Sequence, residues 1–186
     1  KQPMMAVTIE GECKSPLKKA GTERGDEIWL TGPIGSGVLF AALSSGLTVG
    51  ASIDEWIGIA LTSLYEASQI ASQEGVHAMT DVTGFGVAGH LKEMLSGSGL
   101  GVQWSDQIQL FQGVDQCINR GIFSTSHPDN EGYAAEVGVG APSPLVFDPQ
   151  TCGPLMIAAP PPVARNVVQK WIEIGLSPQR VGVVTT

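Results

Sequence analysis

The chain has 186 residues, of which 42% are hydrophobic, and its mean hydropathy is +0.14. This length and composition predict one sizeable domain, or one domain plus a remnant of another, with a real core. No apolar run approaches the ~20 residues that a membrane-spanning helix needs, so we expect no membrane partner. The net charge of −8 argues against nucleic acid as a partner, because phosphate backbones are bound by cationic surfaces.

The charge and the cysteines narrow the class of protein further. Residues 1–24 carry five Lys/Arg and three Asp/Glu, whereas residues 25–186 carry five and fifteen. An acidic protein can still bind a nucleotide when metal ions bridge its carboxylates to the phosphates. Cys13, Cys117 and Cys152 form no C-x-x-C pair and no zinc spacing, which favours reduced thiols. Since no basic-then-apolar leader is present either, we expect a cytoplasmic protein.

The first 24 residues differ in composition from the rest of the chain. MMAVTIEGE, residues 4–12, predicts a strand, and the basic, polar stretch that follows predicts a linker. The chain begins with Lys1 rather than Met, which suggests a fragment or a processed product. We therefore interpret residues 1–24 as the last strand of an upstream domain plus a linker.

After the linker, predicted strands and helices alternate. Residues 26–32 predict a short strand, and residues 33–46 predict a glycine-rich turn that leads into a helix. The strongest helical pattern covers residues 52–75, where apolar residues recur on one face. Ser52 and Glu55 match a capping box at the start of this predicted helix.

The middle of the chain continues the alternation. Residues 76–83 predict a strand, residues 84–97 the following helix, and residues 101–104 another short strand. Residues 105–121 predict a helix that is capped by Ser105.

The last part of the chain begins with residues 122–140, which are irregular and polar, as active-site loops often are. Residues 144–160 predict two strands joined by a turn, residues 160–175 a helix opened by prolines, and residues 179–186 a final strand. Strands interleaved with helices, including one hairpin, predict an α+β or α/β domain with a mixed sheet.

TDVTGFGVAGH, Thr80 to His90, contains the G-x-G-x-x-G spacing of a dinucleotide-binding turn. Asp106 lies 20 residues beyond Gly86, about where a ribose-binding acid belongs. Three features oppose NAD binding: the strand is polar, Asp81 would repel an unbridged pyrophosphate, and Asp106 is explained by a helix start.

A second interpretation of the same segment uses its aspartate. Asp81 at a strand end can ligate Mg²⁺, while the amides of a glycine-rich helix start can face an anionic phosphate. That combination suits phosphoryl transfer, in which positioning and charge neutralisation dominate. A simpler alternative is that Asp81 or Thr83 only caps the helix that begins near Gly84.

Two other segments resemble functional loops less strongly. GPIGSG, residues 32–37, lacks the Lys-Ser/Thr of a P-loop, so it is a packing turn or at most an accessory phosphate contact. FDPQTCGP, residues 147–154, is best explained by the turn chemistry of Asp148 and Pro149.

Taken together, these segments resemble one enzyme family. TDVTGFGVAGHLKEM is similar to the TDVTGFGLLGHLLEM signature of selenophosphate synthetase (selenide, water dikinase), LVFDPQTCGPLMIA resembles its DPQTSGGLLIA, and GDEIWLTGPIGSGV its GDVLILTKPLGTGV. The segments occur in the family's order, and the similarity runs from about Gly25 to the C-terminus. The family is PurM-like, with an N-terminal nucleotide domain and a C-terminal α+β domain.

The resemblance implies the fold, the reaction and the site residues. It implies a three-layer α/β/α domain with a mixed sheet, partly ferredoxin-like, over residues 25–186, following the end of the nucleotide domain in residues 1–24. The family converts ATP, selenide and water into selenophosphate, AMP and phosphate. Asp81 is then a magnesium ligand, and Thr83, Gly84 and Gly86 contact the nucleotide.

The resemblance also implies what lies elsewhere. The catalytic Cys or selenocysteine, the nearby Lys and further magnesium-binding aspartates belong to the N-terminal domain, so this chain has no catalytic residue and is expected to be inactive alone. It would bind ATP and Mg²⁺ jointly with that domain, and the parent protein would pair as a homodimer.

The sequence departs from the family at three positions. Gly32 replaces a lysine, Pro154 replaces a glycine and so loses an amide donor, and Cys152 replaces a serine. These changes leave two alternatives open: another PurM-like ATP enzyme, such as an aminoimidazole ribonucleotide synthetase relative or a hydrogenase-maturation protein, or a non-catalytic interaction or dimerisation domain.

Overall fold

The computed structural model describes residues 6–12, 16–47, 49–139 and 143–186. Its strands are β1 (Glu27–Leu30), β2 (Ala78–Asp81), β3 (Gly101–Trp104), β4 (Gly138–Val139), β5 (Leu155–Ala159) and β6 (Gln179–Thr185). Its helices are α1 (Ser36–Ser44), α2 (Gly50–Ala60), α3 (Tyr65–Glu74), α4 (Gly86–Met94), α5 (Val114–Ile118), α6 (His127–Ala134) and α7 (Pro161–Glu173). Short 3₁₀ helices cover Ala135–Val137 and Pro144–Phe147.

The strands form one mixed six-stranded sheet in the order β2-β5-β1-β6-β3-β4. Neighbouring strands are antiparallel, except that β4 runs parallel to β3 at the edge. All five residues of β5 are buried, because helices cover this strand on both faces of the sheet. The predicted α+β class with a mixed sheet is confirmed.

Two hydrophobic clusters on opposite faces of the sheet make the domain three-layered. On one face, α1 and α4 pack on the inward side chains of β1, such as Ile28 and Leu30. On the other face, α3 and α7 pack on Ile157 of β5. Trp171 of α7 is fully buried there, and its Nε1 donates to the Ala67 carbonyl at 3.1 Å, so the indole is both packed and hydrogen-bonded.

The prediction of one helix over residues 52–75 is wrong, because the segment divides into α2 and α3. Ser52 lies inside α2, so the predicted capping box does not form. Side-chain hydrogen bonds explain the break: Thr62 Oγ1 donates to the Gly58 carbonyl at 3.0 Å, and Ser63 Oγ accepts from the Tyr65 amide at 3.2 Å. Such local bonds compete with the helical backbone pattern.

The helix predicted over residues 105–121 is reduced to α5. The Ser105 amide donates to the Val181 carbonyl at 3.0 Å, and the Gln109 amide to Gln179 Oε1 at 2.7 Å, so β6 and its side chains engage the backbone instead. Ser105 is not a helix cap, and Asp106 is not at a helix start.

Three further predictions need correction. The segment 122–140, predicted to be irregular, contains α6 and β4, with residue 140 outside the described residues. The first strand of the hairpin predicted in 144–160 is instead the 3₁₀ helix Pro144–Phe147. In the strand predicted for residues 4–12, residues 6–12 are exposed and have no strand, and residues 4 and 5 lie outside the described part.

The topology contradicts the NAD interpretation. A dinucleotide-binding turn joins neighbouring parallel strands through a helix. Here β2 is an edge strand antiparallel to β5, and the strand that follows α4 is β3, which is not a neighbour of β2. No helix in the described residues is long and apolar enough to cross a membrane.

Candidate functional site

The ends of three strands meet at one end of the sheet. Asp81, the last residue of β2, lies opposite Leu155, the first residue of β5. The Thr31 amide, just after β1, donates to the Leu155 carbonyl at 3.0 Å, and the Val82 amide donates to the Pro154 carbonyl at 2.9 Å. The glycine-rich turn after β2 therefore adjoins the loop that precedes β5.

Asp81 exposes its side chain to solvent at this end of the sheet. Within the described parts of the chain, no hydrogen bond or ion pair engages its carboxylate, and no group of three His, Cys, Asp or Glu could hold a metal. Mg²⁺ keeps several waters and is usually bound through one or two carboxylates together with substrate phosphates. Asp81 therefore fits one oxygen ligand of a shared Mg²⁺ site.

Thr83, two residues further on, is held through its amide, its carbonyl and its hydroxyl. Its amide donates to Nε2 of His90 at 3.0 Å, and its hydroxyl lies 3.1 Å from the same nitrogen. Its carbonyl accepts from the amides of Gly86 at 3.0 Å and Gln150 at 2.9 Å. The amides of Thr83 and Gly86, both predicted nucleotide contacts, thus already have partners inside the protein.

The two predicted glycine contacts have different structural roles. Gly86 has φ +68°, and an added Cβ would lie 2.8 Å from the Val146 carbonyl oxygen, so the fold itself requires glycine. Gly84 is exposed, has no positive φ, and an added Cβ would meet nothing within 4 Å. Nothing in the described fold requires glycine at position 84. The free space around it leaves its backbone open to close approach by a ligand.

Asn130 of α6 fixes the other side of this turn. Its Nδ2 donates to the Gly84 carbonyl at 2.8 Å and to the Phe147 carbonyl at 2.9 Å. Asn130 is buried, so both carbonyls depend on it. Sequence reasoning missed this residue because α6 lies in a segment predicted to be irregular; Pro128 and Asp129 in its first turn were the available signal.

His90, which sequence reasoning also missed, is buried on α4 behind Thr83. Its Nδ1 lies 3.2 Å from Glu93 Oε2, and Lys19 Nζ donates to the same oxygen at 2.7 Å. Burial is the main reason why the pKa of His90 is lowered from its ordinary value, and it outweighs the opposing effect of Glu93. The i, i+3 spacing of His90 and Glu93 on a predicted helix was the signal that could have shown this pair.

The loop before β5 holds the start of α1. Oδ2 of Asp148 accepts from the Gly37 amide at 3.0 Å, and Oε1 of Gln150 accepts from the Gly35 amide at 3.0 Å. Ser36 adds to the connection, because its hydroxyl accepts from the Thr151 amide at 2.9 Å. These side chains occupy the amides of Gly35, Ser36 and Gly37, which favours the packing-turn interpretation of this segment.

Asp148 is completely buried, and its Oδ1 has no hydrogen-bond partner among the described residues. Burial raises the pKa of its carboxyl to about 7, although hydrogen bonds from Gln150, Val38 and Gly37 favour the ionised form. The sequence predicted only a turn here, because the amides of Gly37 and Val38 that Asp148 binds lie 111 and 110 positions away in the chain.

A cavity of about 680 Å³ opens beside these loops. Its walls include Ile59, Phe111 and the three positions at which the sequence departs from the resembled family, Gly32, Cys152 and Pro154. Cys152 has φ +48°, an uncommon conformation for a residue with a side chain. The replaced residues are thus neighbours around one cavity.

The chain is similar to known proteins over nearly its whole length. The family described as "AIR synthase related protein, C-terminal domain" matches residues 23–186, and the chain belongs to this family. Selenide, water dikinase of Haemophilus influenzae (strain 86-028NP) is 31% identical over 191 residues, covering 97% of this chain and 54% of the relative. That of Cronobacter sakazakii is 29% identical, covering 100% of this chain and 55% of the relative. The chain thus spans about half the length of these relatives.

Solved structures show the same fold. The crystal structure of hydrogenase maturation protein HypE superposes with a TM-score of 0.66 at 18% identity, covering 94% of this chain and 49% of that chain. The complex of HypE with ATP gives a TM-score of 0.65 at 17% identity, covering 91% and 45%. Thiamine-monophosphate kinase from Stenotrophomonas maltophilia K279a gives 0.60 at 16%, covering 91% and 50%. The predicted PurM-like fold and the resemblance to selenide, water dikinases are confirmed.

Proposed function

We propose that this chain is the C-terminal part of a selenide, water dikinase that forms selenophosphate, AMP and phosphate from ATP, selenide and water. Residues 25–186 form the C-terminal domain, and residues 1–24 are the end of the nucleotide domain plus a linker. The chain completes an ATP·Mg²⁺ site whose catalytic Cys or selenocysteine and Lys lie upstream, and it is inactive alone. The parent protein pairs as a homodimer.

The observation that carries this proposal is an exposed, unengaged carboxylate beside a glycine that the fold does not require. The Asp81 carboxylate is exposed, so its oxygens are accessible to a metal ion. Three residues later, an added Cβ at Gly84 would meet nothing within 4 Å, so a ligand has space to approach the backbone there. Asp81 would hold Mg²⁺ and Gly84 would admit phosphate, while the bound metal would neutralise phosphate charge. Relatives that carry the name selenide, water dikinase at about 30% identity support this reaction over others.

The test uses the full-length protein with Asp81→Asn, which keeps the size of the side chain and removes its charge. Asp106→Asn is the matched control, because Asp106 is also exposed but lies in the loop after β3. We expect Asp81→Asn to abolish Mg²⁺-dependent AMP formation from ATP and Asp106→Asn to leave it unchanged. Full activity of Asp81→Asn, or AMP formation by the 186-residue chain alone, would contradict the proposal.

Two other functions have specific support. Another ATP-dependent enzyme of the same family is favoured by the fold shared with HypE and thiamine-monophosphate kinase. A non-catalytic interaction domain is favoured by Gly32 and Pro154 at the cavity. Omitting selenide from the assay discriminates among the three: a selenide, water dikinase stops forming AMP, a different ATP-dependent enzyme is unaffected by selenide, and an interaction domain forms no AMP in either case.

A further inference from the structure

The hydrogen bonds around His90 have one consistent direction. The Thr83 amide can only donate, so Nε2 of His90 accepts and carries no proton. The proton of the neutral ring is therefore on Nδ1, which donates to Glu93 Oε2 at 3.2 Å. Lys19 donates to the same oxygen at 2.7 Å, so the carboxylate accepts from both sides.

The direction of these hydrogen bonds determines which backbone groups of the turn after β2 remain available to a ligand. Because the Thr83 amide donates to Nε2 of His90 inside the protein, it is not available to a ligand on the exposed side of the turn. The Thr83 carbonyl is fixed as well, by the amides of Gly86 and Gln150. Asp81 is fixed by its pairing with Leu155 of β5, whereas Gly84 directly follows Thr83. The hold on Thr83 therefore sets where the Gly84 backbone lies relative to Asp81.

We propose that His90 is a positioning residue: by accepting the hydrogen bond of the Thr83 amide, it holds the Gly84 backbone in place relative to Asp81, so that both face the same ligand, an Mg²⁺-bound nucleotide phosphate. The inference rests on the proposed function of Asp81. Glu93 fixes the tautomer of His90, as carboxylates do for metal-binding histidines, and residues that support metal ligands in this way typically contribute about 10–100-fold to affinity or activity.

Lys19 extends the same chain of contacts into the segment that precedes the domain. The Lys18 carbonyl accepts from the Met79 amide on the outer edge of β2 at 3.3 Å, so residues 18 and 19 lie along the strand that ends at Asp81. The Lys19 and Glu93 side chains are 43% and 32% exposed. Because this outer part is accessible, it can be removed without opening the core.

The test compares three variants of the full-length protein by the Mg²⁺ concentration that gives half-maximal ATP turnover. His90→Gln keeps an acceptor that can reach the Thr83 amide, whereas His90→Leu removes it. His77→Leu is the matched control. His77 lies in the loop that precedes β2, and its Nδ1 also bonds a carboxylate oxygen, Asp26 Oδ2, at 2.9 Å. We expect His90→Leu to raise the half-maximal Mg²⁺ concentration about tenfold or more, and the other two to stay within about threefold of the unmodified protein.

A second variant covers the case that His90→Leu misfolds, and an NMR measurement tests the protonation of the His90 ring directly. If His90→Leu does not fold, Lys19→Met replaces it, and the proposal then requires a rise of more than about threefold in the half-maximal Mg²⁺ concentration, above the range allowed for the controls. Nitrogen-15 NMR of the imidazole should show Nε2 without a proton. Equal effects of His90→Gln and His90→Leu, no effect of Lys19→Met in that case, or a protonated Nε2 would overturn the proposal.

Asp81→Asn distinguishes the two levels of inference. If Asp81→Asn is inactive while His90→Leu has a normal Mg²⁺ dependence, only the positioning role is wrong. If Asp81→Asn is fully active, the proposed function is wrong and the role of His90 falls with it.

Discussion

Replacing Asp148 with Asn should stabilise the domain at alkaline pH. Asp148 is completely buried, and its ionised form accepts from the amides of Gly37 and Val38 and from Gln150 Nε2. Burial nevertheless raises the pKa of its carboxyl to about 7. Asparagine can place its carbonyl oxygen where Oδ2 lies and avoids the cost of burying a charge.

The sign and the size of the effect follow from proton linkage. Between the ordinary pKa of 3.8 and the folded value of about 7, the folded state binds more protons than the unfolded state, so stability falls as pH rises. At ~1.4 kcal/mol per pKa unit, the raised pKa of Asp148 costs the folded state about 2 kcal/mol at pH 5 and about 4 kcal/mol at pH 8. The stability difference between Asp148→Asn and the unmodified chain should therefore shift by about 2 kcal/mol in favour of the variant over this interval.

Urea denaturation of the 186-residue chain at pH 5 and pH 8, followed by tryptophan fluorescence, measures this shift. Asp106→Asn is the control, because it makes the same chemical change at an exposed aspartate outside the buried loop. A stability difference for Asp148→Asn that is constant to within about 0.5 kcal/mol would show that burial of the Asp148 charge does not control its titration.

Three other substitutions test the turn after β2, each with urea denaturation as a readout. Gly86→Ala should destabilise the chain by at least about 2 kcal/mol, because position 86 combines a φ of +68° with backbone oxygens 2.8–2.9 Å from the added Cβ. Gly84→Ala should leave stability unchanged to within about 1 kcal/mol but lower ATP turnover by the full-length protein, and unchanged turnover would show that no ligand approaches Gly84. Asn130→Ala should cost about 1–3 kcal/mol, since two carbonyls lose their donor, whereas the exposed Asn119→Ala should cost little.

The sequence predicted the elements whose signal is local. The strands β1, β2, β3, β5 and β6 and the helices α1, α4 and α7 are where alternation, helical periodicity, glycine or proline placed them. Predictions were wrong where distant groups capture the backbone, as β6 does near Ser105, or where side chains such as Thr62 and Ser63 interrupt a periodic segment. The first effect is not visible in a window of one helix length. The second is local, but the apolar periodicity of the segment outweighed it in the prediction.

The candidate site shows the same division. The exposure of Asp81 at a strand end follows from the local pattern, and the structure agrees. The inward direction of the Thr83 amide depends on His90, which reaches it only once α4 has packed. The hydrogen bond from Asn130 to the Gly84 carbonyl joins residues 46 positions apart, and one sequence alone does not reveal such a contact.

The start of α1 has a consequence for how glycine-rich segments are interpreted. A helix N-terminus attracts whatever negative or acceptor group can reach it. At Gly35 and Gly37 that group belongs to the same chain, at Gln150 and Asp148, so it binds intramolecularly and competes with any free anion. Two glycine-rich turns with similar sequence patterns therefore differ in the structure: side chains of the same chain bind the amides of Gly35 and Gly37, whereas Gly84 remains exposed.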